Sequence, residues 1–127
     1  MSVLEGFKSF NFNEGVPAVS ITSNGVTFNK SVTLKLGSPS HVVLLFNEAT
    51  KQMAIQACDE NVENSVPYYR DNTRGVLSVR WNGRDLLNTI EAMMDWDLKT
   101  QAFKSEGFHL KAENAILFDL AKSIELK

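Results

Sequence analysis

The chain has one cysteine, Cys58, three prolines and two histidines in 127 residues. A single thiol excludes an internal disulfide and suits a reducing compartment, so a cytoplasmic protein is expected. Two histidines and one cysteine, far apart in sequence, supply no metal constellation, and no Asp/Asn-rich calcium loop is present. Long apolar runs are missing too. The longest, Val42 to Phe46, is strand-sized, well short of the ~18 residues that a membrane helix needs. The start, Met1 to Gly6, has no basic region followed by an apolar stretch, so no signal peptide is expected. Positive charge is scarce. Thirteen Lys and Arg stand against fifteen Asp and Glu, giving a net charge of -2. Attraction of the whole chain to nucleic acid or to an anionic membrane is therefore unsupported, and such binding requires a local patch.

What is present is ordinary globular material. A hydrophobic fraction of 43% and a charged fraction of 22% exclude a disordered chain. The length suits one domain, residues 1–127, able to bury about two thirds of its unfolded surface.

Strand and helix signals alternate along it. Phe10 and Phe12 share a face if the N-terminal segment is extended. Ala18 to Thr22 reads as a strand, Asn24-Gly25 as a tight turn, and Val26-Thr27-Phe28 as the return strand. Asn29 is a suitable N-cap for a short helix over 30–36, with Val32, Thr33 and Leu36 inward. Gly37 and Pro39 end it. His41 to Phe46 reads as a buried strand that forms a hairpin with Met53 to Ala57. Residues 59–72 read as a linker. Gly75 to Trp81 alternates as a strand, and Asn82 then caps the clearest helix, 83–95. Leu86, Leu87, Ile90, Met93 and Met94 form its apolar stripe. Two short strand pairs are expected after it. One is 100–103 with 108–111 across a turn at Lys104 to Gly107; the other is 115–118 with 123–126.

The two halves echo each other, with candidate units at 16–58 and 74–112. Val26-Thr27-Phe28-Asn29 matches Val79-Arg80-Trp81-Asn82, and a helix and a hairpin follow each. Residues 21–56, "ITSNGVTFNKSVTLKLGSPSHVVLLFNEATKQMAIQ", resemble the AbrB/MazE-type swapped-hairpin module. The matching positions are Val26, Phe28, Leu34, Leu36, Gly37, Val42, Leu44 and Ile55. The resemblance implies two interlocked units in one barrel and, in many members, DNA binding as a regulator. The expected fold is thus α+β, mainly β: a small barrel-like domain of two strand–helix–hairpin units with short helices.

All four arginines fall in one stretch, Tyr68 to Asp85. Guanidinium groups pair phosphates bidentately, and Tyr68, Tyr69 and Trp81 among them offer stacking faces. Arg80 and Arg84, with Arg74 and Lys30, are the nucleic-acid-binding candidates. The competing reading is linker charge paired with Asp59, Glu60 and Glu63. Catalytic candidates are poor. His41 and Cys58 supply a base and a nucleophile, but nothing local brings them together. Asp95 and Asp97 read as a solvated helix end. The expectation is a non-enzymatic binding protein without cofactor or metal, monomer or homodimer, whose partner is DNA or, alternatively, another protein.

Overall fold

The structure, a computed structural model, describes residues 3–7, 15–70 and 76–126. The chain is mainly β, with two α-helices packed on one curled sheet that forms a half-barrel. The expected Phe10 and Phe12 pair lies outside the described residues.

Strands β1 (Ala18–Thr22) and β2 (Gly25–Phe28) form the first hairpin, with Thr22 opposite Gly25. The turn is therefore Ser23-Asn24, one residue earlier than the Asn-Gly signal placed it. Gly25 is needed for a different reason. A Cβ there would stand 2.5 Å from the Trp81 carbonyl oxygen, and its φ is +139°. Asn29 caps helix α1 (Lys30–Lys35) as expected. Its Oδ1 accepts from Val32 N at 3.2 Å and also from Ala18 N at 3.1 Å, which ties the helix to β1. Gly37, at φ +82°, ends it.

Strands β3 (His41–Asn47) and β4 (Gln52–Cys58) make the expected hairpin, pairing over seven residues. The supposed linker contains β5 (Val66–Pro67), which pairs with β3. Strand β6 (Val79–Trp81) pairs with β2. Helix α2 (Arg84–Met94) buries Leu87, Ile90 and Met93, but its N-cap is Gly83 rather than Asn82, without a side-chain capping bond.

Strand β7 (Ala102–Leu110) corrects the expected hairpin over 100–111. The polar run at Lys104 to Gly107 is not a turn. Phe103 and Ser105 face in, Lys104 and Glu106 face out, and the strand runs straight through. Strands β8 (Ala115–Asp119) and β9 (Ile124–Leu126) do not pair with each other as expected. They lie end to end along one edge of β7, with β1 on the other edge. The 3₁₀ turn Leu120–Lys122 separates them.

The sheet order is β5-β3-β4-β8-β7-β1-β2-β6. The curl centres on β7, whose pairing passes from β1 to β8 at Gly107. A Cβ there would meet Ile116 Cγ2 at 2.5 Å and the Phe118 ring at 2.8 Å, so the missing side chain lets the sheet bend over its own core. The concave face holds fully buried Phe28, Phe118, Ile21, Met53, Ile55, Ile90 and Ile116. Each such burial is worth about 1.5–3 kcal/mol.

Candidate functional site

Curling brings the two ends of the sheet to one place. β5 pairs only with β3, and β6 only with β2, among the described residues. Between these ends runs an apolar groove of about 490 Å³, lined by Leu44, Val66, Pro67, Trp81, Gly83 and Leu86. Its walls are two strand edges, so one side of each carries backbone groups outside any ladder. The edges are not equivalent. Pro67 has no N–H to donate, whereas every β6 residue has one.

The groove floor is braced from within. Trp81 packs edge-on against Phe28, with ring centroids 5.1 Å apart, and against Tyr68 at 6.0 Å. Tyr68 N donates to Ser40 O at 2.7 Å, which carries the chain on from β5 beside β3. Thr33 Oγ1 donates to Leu77 O at 2.6 Å. Its single proton is then committed, so the phenol of Tyr68, 2.9 Å away, is the donor to Thr33. Burial pushes this phenol up to about 12.

The sequence-derived cations are dispersed. Lys30 follows Phe28, which pairs with Val79, whereas Arg84 follows Trp81, which pairs with Val26. They therefore lie at opposite ends of the β2–β6 ladder. Arg80 lies midway, exposed, with Nε donating to Thr27 Oγ1 at 3.0 Å. Arg74 lies outside the described residues. A row the sequence did not reveal crosses the outer face: Arg80, Thr27, Ser20 and Lys104 are neighbours in register on β6, β2, β1 and β7.

His41 and Cys58, which no local feature united, stand directly opposite each other on β3 and β4. The pair is not tuned for nucleophilic attack. Burial and the neighbouring Asp59 carboxylate push the Cys58 thiol up, away from the thiolate. His41 Nδ1 is engaged with Ser40 Oγ at 3.0 Å. One acid in the last turns of α2 and one just after it serve the backbone. Glu91 Oε2 accepts from Leu98 N at 2.8 Å, and Asp97 Oδ1 from Lys99 N at 3.1 Å. Among the described residues, no three His, Cys, Asp or Glu side chains are grouped to hold a metal ion, and no helix is long and apolar enough to cross a membrane.

Sequence reasoning missed the groove because Val66 and Pro67 sit in a polar stretch that reads as linker. The faint signal was Val66-Pro67-Tyr68-Tyr69 itself, an apolar run with an aromatic end. Comparison with protein-family models, with curated proteins and with solved structures finds no match.

Proposed function

We propose that this chain is a non-enzymatic protein-binding module, a barrel of two related units left open at one seam, and that the seam receives an extended segment of a partner protein. The observation that carries the reading is the groove between the two unpaired edges, β5 and β6.

Pairings between the two halves of the chain support it. Thr27 pairs with Arg80, its counterpart in the other unit, while Val26 pairs with Trp81 and Phe28 with Val79. Each is the pairing that a two-fold axis through the ladder demands. The hairpins β3–β4 and β7–β8 both have four-residue loops, 48–51 and 111–114. Each loop ends in a left-handed residue, Lys51 at φ +60° and Asn114 at +50°. β4 pairs with β8, again unit to unit. In this scheme β5 corresponds to β1. The one contact that lacks its mate is β5 with β6, where the first unit has the full β1–β2 hairpin.

Val66 measures the consequence. It occupies the place of Val19, which is completely buried, yet remains 38% exposed. An extended segment lying on β6 would pair with its free edge and place alternate apolar side chains over Val66, Trp81 and Leu86. Pro67 prevents β5 from closing the seam by itself.

The first unit suggests the probe. A synthetic peptide of residues 17–23, Pro-Ala-Val-Ser-Ile-Thr-Ser, carries the strand that pairs with β2. In a Trp96→Phe background, Trp81 fluorescence should shift saturably as this peptide is added. A peptide with Asp in place of Val19 and Ile21 should give no shift. Equal responses, or none at millimolar peptide, would remove the strand-binding reading.

One observation favours DNA as a second reading, the row Arg80–Thr27–Ser20–Lys104 on the outer face. A gel shift with duplex DNA at two salt concentrations tests it. Binding that weakens steeply with salt and is lost in Arg80→Ala supports it. No retardation at low salt eliminates it.

A further inference from the structure

We infer that the convex face of β3, β4, β8 and β7 is a homodimer interface, on which Phe108 of each copy fills a depression over Ala54 of the other. The starting point is a mismatch between pattern and burial. Val42-Val43-Leu44-Leu45-Phe46 has the continuous apolar run of a strand covered on both faces. One chain covers only the inner face. The register sets the outer residues in a row, Leu45, Ala54, Leu117 and Phe108, one per strand. The next row is Val43, Gln56, Ala115 and Leu110, and no charged residue stands in either row. The outer face of β1 and β2, by contrast, carries Ser20, Thr22 and Thr27. Only one half of the convex surface is thus built for cover rather than for water.

Shape selects the occupant. Phe108 stands 73% exposed, two residues before the end of nine-residue β7. Beside small Ala54 lies a depression of about 170 Å³, with Leu45 and Leu117 on its apolar side and Asn47 and Gln52 of the next rung on its polar side. A buried cavity of about 150 Å³ accepts benzene, so a phenyl ring fits this space. Knob and hole are on one molecule, one strand to either side of Leu117 on β8. A two-fold axis over Leu117 therefore brings both Phe108 side chains into both depressions at once and sets Leu117 against Leu117. Such a contact is self-complementary and closes on itself, as an isologous dimer requires. The two sheets then stack as in a β-sandwich. The seam groove opens elsewhere, so this interface stands whether or not a partner strand binds there.

Sedimentation equilibrium of the intact chain at micromolar concentration decides the matter. The expected mass is twice the 14.2 kDa of one chain. Phe108→Ala should weaken the dimer about tenfold or more, as loss of a central aromatic anchor does. Leu117→Lys, which sets two ammonium groups on the axis, should give monomer with an unchanged circular dichroism spectrum. If Leu117→Lys fails to fold, Leu117→Cys in a Cys58→Ser background gives the same answer. Mild oxidation should link two copies into one covalent dimer. A wild-type mass of 14.2 kDa, a dimer indifferent to Phe108→Ala, or no cross-link at position 117 would each overturn the inference.

Discussion

Raising the pH past 10 should loosen this fold through one phenol. Tyr68 is only 6% exposed, and burial raises it from an ordinary 10.0 to about 12. The folded chain therefore holds the phenolic proton more tightly than the unfolded chain. Below pH 10 both states keep it, and stability is unaffected by this group. Between pH 10 and 12 the unfolded chain releases it first, so stability falls. The difference between the two states corresponds to roughly 3 kcal/mol, lost above pH 12. Ionisation has a local cost as well, because the Thr33 proton points at Leu77 O and must turn to serve a phenolate. Tyr68→Phe isolates the effect. It keeps the ring against Phe28 and Trp81 and removes the titrating group. At pH 8 the variant should be less stable by about 1 kcal/mol, the worth of one buried hydrogen bond. By pH 12 it should be the more stable of the two. Urea unfolding of both proteins across pH 8–12, followed by tryptophan fluorescence, gives the difference directly and cancels the lysines common to both. The two stability curves should cross between pH 10 and 12. A difference that stays constant across this range would mean that the phenol is not buried against Thr33.

Two glycine substitutions should differ in severity. Gly25→Ala forces a Cβ onto the rigid Trp81 carbonyl at positive φ and should cost about 3 kcal/mol or more, whereas Gly107→Ala meets side chains that can shift and should cost about 1–2 kcal/mol. Urea midpoints rank them, and the reverse order would refute the proposed reason for each glycine. Asn29→Ala should cost about 2 kcal/mol, because it removes both the α1 cap and the acceptor for Ala18 N. Asn29→Asp keeps that oxygen but loses the Nδ2 bond to Val16 O at 2.9 Å, so it should recover most of the loss in thermal denaturation. If Asn29→Asp is as damaging as Asn29→Ala, the cap oxygen is not what matters.

The parts legible in sequence are those fixed by short-range chemistry. Asn29 before a polar–apolar turn, Gly37 after it, and the 3-4 spacing of Leu87, Ile90 and Met93 each act within a few residues. The β3–β4 hairpin was legible for the same reason, since two apolar runs flank one polar loop. Errors arose where a polar segment carries a strand. Lys104 and Glu106 look like turn residues. They are outward positions of β7, while inward Ser105 donates to Asp119 O at 3.3 Å and spares the core an unpaired hydroxyl. The strand ends at Trp81 as expected, yet the N-cap is Gly83 rather than Asn82.

The candidate site was legible only in part. The sequence placed Arg80 on a strand and Arg84 at a helix start, and both positions hold. It named Lys30 as a further candidate, and the antiparallel register of β2 and β6 sets Lys30 and Arg84 at opposite ends of that ladder. It could not bring Val66 beside Trp81, or His41 opposite Cys58, because those meetings depend on which strands pair across the barrel. By itself, then, the sequence determined the mainly β class, the two helices and the first hairpins, all written in local propensity and periodicity. Tertiary structure alone decided that, among the described residues, β5 and β6 do not pair and no element covers the convex row of Leu45, Ala54, Leu117 and Phe108. Strand order and register are set by packing over the whole core, and a one-residue change in register would turn every one of these side chains to the other face.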